Sequence, residues 1–451
     1  MADFKAGFCR VDVTPPLGTE IAGYFFERYA EGVLDNLEAN TLAVSCNGVT
    51  AVIIALDNLH INQIQMDIYR NQIAKAAGIP YSAVFIACTH THTGPQVGKD
   101  SLREVYDNEA YTTYLGIKLA DSAVMAIKDM KKAKLGYAVG QAPRIAFVRR
   151  FRMKDGSVRT NPGINNPDID HPLGDVDERV NVIRIVREEG PEIVVANFGV
   201  HPDTVGGSLI SADYPRFVRE TTERVLDNVK CMFLNGAEGD VNHVNVHPTG
   251  GDHNGLAPVH DDGDRGYEHT KHMGRTIAGA ILQVYAKVNF TEPDAVAAIH
   301  RPVEAPSNMP NPEDLPRARE IVQLNIEGRD KELPYEGMEL TTVVAEAVRM
   351  VRLEHGPESF TLNLTGVRMG DVAFVGIPGE PFTAIGRGIK DGSPFAVTCP
   401  CCLTNGAEGY YPSQDAYDEG GYEARSSRFK SGIAELLTNE SIALLNDLKK
   451  A

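Results

Sequence analysis

Five short apolar runs, each followed by a polar break rich in glycine or proline, constrain the fold of this chain more than any other feature. The runs span residues 83–88, 193–200, 231–234, 372–377 and 396–399. The breaks beyond them carry Thr89-His90-Thr91-His92, His201-Pro202, Asn235-Gly236-Ala237-Glu238-Gly239-Asp240, Pro378-Gly379-Glu380-Pro381 and Asn405-Gly406-Ala407-Glu408-Gly409-Tyr410. Runs this short and this apolar read as buried strands. Helical patterns cover 61–77, 111–132, 310–329, 338–354 and 426–450. Two hairpins join 41–46 to 50–56 through Asn47-Gly48 and 360–367 to 372–377. The whole predicts an α/β fold, a central mixed β-sheet region flanked by helices with the active site at the strands' carboxyl ends. No linker divides the chain, so a single domain over 1–451 is expected.

Charge narrows the function. A formal net charge of −17 argues against nucleic acid, which needs concentrated Lys and Arg, and against docking on anionic membranes. No apolar stretch approaches the roughly 18 residues of a membrane span. The start, Met1-Ala2-Asp3-Phe4-Lys5, lacks the basic-then-apolar pattern of a secretory leader. Seven scattered cysteines do not form a disulfide framework, and Cys399-Pro400-Cys401-Cys402 lacks the second pair of a zinc ribbon. The expectation is a cytoplasmic protein with reduced thiols that acts on a small-molecule substrate, without nucleic acid or stable membrane association.

The chemistry-bearing residues lie in the breaks. The strand is expected to run on until Gly94-Pro95 ends it, so His90 and His92, at i and i+2, share a face and form a natural half of a zinc site. A hydrogen-bonded pair of histidines beside a turn is the plainer reading. A zinc hydrolase centre needs about three protein ligands and one open position. His90, His201 and Glu380 occupy equivalent places after strands and are candidates, although His201 could mark a turn and Glu380 could cap a helix near Pro381. The segment 242–272 is poor in apolar residues and reads as a long loop. Its His243, His247, His253, His260, His269, Asp261, Asp262 and Asp264 could shape the pocket or hold a second metal. Asn-Gly-Ala-Glu-Gly occurs at 235–239 and 405–409 with unrelated flanks, which points to shared turn chemistry rather than duplication.

These motifs together resemble the neutral/alkaline ceramidase family, over its catalytic N-terminal domain. Asp12-Val13-Thr14-Pro15-Pro16, Ala22-Gly23-Tyr24, Thr89-His90-Thr91-His92-Thr93-Gly94-Pro95, Phe198-Gly199-Val200-His201-Pro202, Gly239-Asp240-Val241, Pro378-Gly379-Glu380-Pro381, Asn405–Tyr410 and Tyr422-Glu423 occur in the family's order. The resemblance implies one zinc held by His90, His201, Glu380 and Tyr410. It implies that His92 and Tyr422 flank the scissile carbonyl, and that Arg149, or its neighbour Arg150, binds substrate. A Tyr410 phenolate would cancel the charge left on zinc by Glu380, so Tyr410 is expected to bind weakly.

Two departures redirect the functional reading. Asn242 stands where the family pattern has serine, so no serine nucleophile is available there, whereas zinc-activated water needs none. Asn242 is expected instead to donate a hydrogen bond to substrate. The chain is also expected to lack the family's C-terminal β-domain, since the sequence ends soon after the catalytic region. The expected function is therefore a zinc-dependent hydrolase attacking an amide, or an ester, of a small polar N-acyl substrate. The alternatives are the same scaffold cleaving a glycosidic or lactone bond, a metal-dependent phosphoesterase, and a metal-binding protein without catalysis.

Overall fold

Three parallel strand pairs, each joined by a helix, organise the protein. The computed structural model describes residues 3–24, 26–98, 108–249 and 263–451. Val49–Leu56 connects through helix Gln63–Ala77 to Val84–Cys88. Glu192–Phe198 connects through helix Tyr214–Val225 to Val229–Asn235. Val372–Gly376 connects through helix Thr383–Asp391 to Val397–Cys401. Parallel neighbours require such crossovers, which leave the carboxyl ends of both strands on one side.

The first two pairs form opposite ends of one mixed sheet. Its order is Val229–Asn235, Glu192–Phe198, Arg179–Arg187, Lys131–Gln141, Lys5–Asp12, Glu38–Cys46, Val49–Leu56 and Val84–Cys88, with Asn289–Thr291 also pairing to Lys131–Gln141. The inner pairings are antiparallel. The third pair lies in a four-stranded sheet with Val296–Pro306 and Ser359–Met369. The expected hairpins and the helix-flanked mixed sheet are therefore present.

Alternate residues explain the unbroken apolar runs. Leu42, Val44, Ile53, Phe85, Ile183, Met232, Val367 and Phe374 share one core between the sheets. Their neighbours Ala43, Val52, Ile54 and Ile86 face outward onto Met66, Tyr69 and Ile73 of helix Gln63–Ala77 and Leu115 and Leu119 of helix Glu109–Lys128. Val182, Val194 and Phe233 face Val218, Met273 and Ile277 in the same way, and Ala373 and Val375 face Ile385, Leu437 and Leu444. Both faces of the apolar runs are covered, so no polar position alternates within them. Burying each large side chain contributes about 1.5–3 kcal/mol.

Element ends depart from the sequence reading where local chemistry intervenes. The first helix starts after Asn62, whose side chain accepts from Gln65 N at 2.9 Å, and stops at Gly78 with φ 66°. The second ends at Lys128 rather than 132, because Lys131 and Lys132 pair with Lys5 and Ala6 as strand. The helix expected over 310–329 is Leu315–Ile326, and the closing helix is Ile433–Lys450, preceded by the separate turn of helix Tyr422–Ser426. The segment expected to be a loop to residue 272 is helical from Gly263, within Gly263–Tyr285, where it packs on the outer face of the sheet. His253, His260, Asp261 and Asp262 lie outside the described residues. The histidine segment is not strand either. Val84–Cys88 ends before it, and His90 sits at φ 77°.

Candidate metal centre

The three sets of carboxyl ends are stitched together before any side chain chemistry begins. Cys402 N donates to Asn235 O at 3.2 Å, Cys88 N to Leu403 O at 3.2 Å and Leu403 N to Gly379 O at 2.9 Å. The repeated Asn-Gly-Ala-Glu-Gly turns contribute through their asparagines. Asn235 Nδ2 donates to Thr89 O at 3.2 Å, and Asn405 bridges Val84 O at 3.1 Å and Ile86 N at 2.9 Å. His90 is held in its left-handed conformation by His90 N to Asn58 O at 2.8 Å, and a non-glycine residue there implies a constraint imposed by its surroundings. Glu380 pairs with Tyr410 across a short parallel bridge rather than capping a helix. Gly239 lets the chain pass beneath that bridge, since a Cβ there would lie 2.5 Å from Glu380 O. Asp240 instead takes the capping role at helix Thr383–Asp391, accepting from Thr383 N at 2.7 Å and Thr383 Oγ1 at 2.8 Å.

Three electron-pair donors meet at one buried point. His90 Nε2 lies 3.0 Å from His201 Nε2, and Glu380 Oε2 lies 3.5 and 3.6 Å from them. His90 Nδ1 is 3.0 Å from Leu59 O and His201 Nδ1 is 3.2 Å from Glu238 O, both acceptors. Each Nδ1 is therefore placed to hold a proton, which frees each Nε2 to offer its lone pair to a metal ion. Glu380 Oε2 is buried without a hydrogen-bond partner. Two imidazole lone pairs and a carboxylate oxygen so close repel unless a positive charge sits among them. Ligand atoms around a tetrahedral zinc are about 3.3 Å apart, so the spacing fits a metal ion. The electrostatics agree. Burial disfavours the His90 imidazolium, yet Glu380 and Glu238 outweigh it and push the pKa up to about 9. Burial works against the Glu380 carboxylate as well, but His90 and His201 hold it well below the usual range. His90, His92, His201, Glu238 and Glu380 could thus hold a metal ion.

The remaining residues surround this point unequally. The His92 ring is 4.9 Å from that of His90 and 5.4 Å from that of His201, with Nδ1 3.6 Å from Asp203 Oδ1. Burial drives the His92 imidazolium well down, against the pull of Asp203. The Tyr410 ring lies 6.5 Å from His201 and 5.5 Å from Tyr422. Burial and Glu380 raise both phenols, so each remains protonated. Arg149 bonds Glu423 Oε1 at 2.7 Å and Gly239 O at 2.7 Å, and sits 5.3 Å over the Tyr410 ring. Arg150 bonds Glu419 Oε2 at 3.2 Å, and its Nε lies 4.0 Å from Glu423 Oε2. Asn242 donates to Asn161 Oδ1 at 2.9 Å and accepts from Val244 N at 3.0 Å, bracing its own loop. The rings of His243, His269 and His272 lie tilted to one another with successive centroids 5.6 and 5.9 Å apart, but among the described residues only the His90 groups bring three or more ligand atoms within 4.8 Å of one another.

Sequence reasoning missed Glu238, Asp203 and Glu423 as members of this site. Glu238 was legible only as half of a repeated turn, and Asp203 only as the second residue after His201.

No protein-family model and no curated protein sequence matches the chain. Solved structures do. Neutral ceramidase from Pseudomonas aeruginosa superposes with a TM-score of 0.71 at 17% identity, covering 99% of this chain and 75% of that one. A ceramidase complexed with C2 superposes with a TM-score of 0.72 at 16% identity, covering 100% of this chain and 76% of that one. The resemblance read from the ordered motifs is thus matched in three dimensions, and the chain has the fold of neutral ceramidase over its whole length.

Proposed function

We propose that this protein is a zinc-dependent hydrolase that cleaves the amide bond of a small N-acyl substrate. The convergence of His90 Nε2, His201 Nε2 and Glu380 Oε2 on one buried point carries the proposal. Nitrogen and carboxylate donors in this number are what a catalytic zinc takes, and Tyr410 borders the position left for substrate. Zinc, when bound, supplies Lewis acidity and lowers the pKa of water.

The chain's own groups would do the rest. His92 is kept neutral by burial, so it donates a hydrogen bond beside the metal without adding a repelling charge. The phenol of Tyr422 remains protonated and donates from the other side, so both can stabilise charge developing on a carbonyl oxygen. Arg149, fixed by Glu423 and Gly239, holds the Tyr410 ring and orients the substrate end of the site. Asn242 gives one amide hydrogen to Asn161 and has a second to offer substrate. The ceramidase fold favours an acyl amide over a glycosidic bond.

The test is a panel of N-acyl amino acids, N-acyl amino sugars and ceramide, assayed for amine release with wild type and His201→Ala. Zinc-dependent release by wild type, abolished in the variant, is expected. Release from no member of the panel by zinc-loaded protein would refute the amide reading.

A further inference from the structure

The two Asn-Gly-Ala-Glu-Gly turns place their glutamates in opposite surroundings. Glu408 is matched by Arg428 at 2.7 Å. Glu238 has no Lys or Arg ion-pair partner among the described residues. It is 0% exposed, and its Oε2 rests against His201 Nδ1. Cys402, also fully buried, lies beside this carboxylate. A buried carboxylate with a thiol and an imidazole for company costs several kcal/mol of desolvation unless it does something for the site.

Its direction decides what that is. His201 faces His90 and Glu380 with Nε2 and faces Glu238 with Nδ1. The two ring nitrogens point to opposite sides, so Glu238 backs the ring while Glu380 shares its front. A carboxylate behind a metal-binding imidazole accepts Nδ1–H, fixes the tautomer, locks ring rotation and makes Nε2 a stronger donor. His201 Nδ1 also lies 3.2 Å from the Glu238 carbonyl, but among the described residues His90 Nδ1 has the Leu59 carbonyl and no carboxylate in that place. A neutral carbonyl polarises a ring less than an ionised acid does, so the two histidines are not equivalent.

We infer that Glu238 is a positioning residue that orients and polarises His201, making His201 the stronger of the two histidine ligands. This rests on the metal reading of the His90, His201 and Glu380 group. Zinc affinity, measured by competition with a chromogenic chelator, separates the two ideas. Wild type is expected to take one zinc. Glu238→Gln, which keeps the shape and one acceptor, should bind about 10–100-fold more weakly, with the thermal melt of the metal-free protein little changed. Glu238→Asp, which restores the charge, should recover part of the loss. The cobalt-substituted Glu238→Gln protein should keep the wild-type absorption envelope, because the ligand set is intact. Zinc affinity equal to wild type in Glu238→Gln would overturn the inference while leaving the metal centre standing. A changed cobalt spectrum would overturn it differently, by making Glu238 a direct ligand. Absence of zinc binding in wild type would remove the metal reading and the inference with it. Should the variants fail to fold, cobalt-loaded wild type still decides. A slowly exchanging, metal-shifted proton on the Nδ1 of His201 is expected, and rapid exchange of that proton would refute the contact.

Discussion

Arg219→Met should be among the most damaging single changes outside the metal centre. Nη1 and Nη2 of Arg219 reach Asp57 Oδ1 and Oδ2 at 3.0 and 2.6 Å, and Nε lies 3.2 Å from Glu38 Oε2. Arg219 and Asp57 are each 1% exposed. Methionine preserves the aliphatic stem, so the loss is electrostatic. Glu38 retains Arg10 at 3.3 Å and Arg216 at 3.1 Å, which leaves Asp57 as the orphaned charge. Stranding one buried partner of such a pair costs about 3–5 kcal/mol. Asp57→Asn in the same chain removes the stranded charge and keeps an oxygen for Glu38 N. The double variant should therefore regain at least about 1.5 kcal/mol. pH gives a second check. Burial pushes the Asp57 carboxyl above its ordinary range and Arg219 opposes that, so losing Arg219 raises it further. A carboxyl raised in the folded state binds its proton more tightly there than in the unfolded chain. The Arg219→Met penalty should then shrink as pH falls from that raised value towards the unfolded pKa of about 3.9. Denaturant midpoints at two pH values measure both effects. A penalty below about 1 kcal/mol at neutral pH, against the range for buried pairs, or strict additivity in the double variant, would refute the reasoning.

Other perturbations probe the site and its supports. His90→Ala should lose zinc and amide hydrolysis together, whereas His92→Ala should lose hydrolysis with zinc retained. Metal analysis beside turnover distinguishes them, and loss of zinc in both would make His92 a ligand. Gly239→Ala forces a Cβ to within 2.5 Å of Glu380 O, so it should cost about 1–3 kcal/mol of stability and weaken zinc binding, read by melting and chelator competition. Burial would raise the Asp177 carboxyl, but Arg179 and Lys390 outweigh it and hold the pKa down to about 2. Because that pKa is depressed on folding, Asp177→Asn should destabilise at neutral pH. The difference should fade as pH drops below about 3.9 and through the folded value. A difference independent of pH would mean that the contacts of Asp177 do not depend on its charge.

Much of this protein is written locally. The apolar runs ending in glycine- and proline-rich breaks specify strands covered on both faces, because side chains alternate and no position in these runs tolerates water. Asn62 and Gly78 end a helix with chemistry contained in a few residues. The residue types for a metal, His90, His201 and Glu380, are likewise visible because each follows such a run. Other features depend on partners that are distant in sequence. The strand ends at Cys88, whose N donates to Leu403 O in the loop beyond Val397–Cys401. Strand alternation does not orient His90 and His92, whose backbone is instead held by Asn58 and Pro202. Arg149 and Arg150 take their positions from Glu423 and Glu419, more than 200 residues further on. Glu238 and Glu408 share a motif, yet one meets a histidine and the other an arginine. Local pattern names the candidate groups and puts them after strands. Which carboxylate backs which histidine is a matter of packing, because a charge takes its role from what it is buried against.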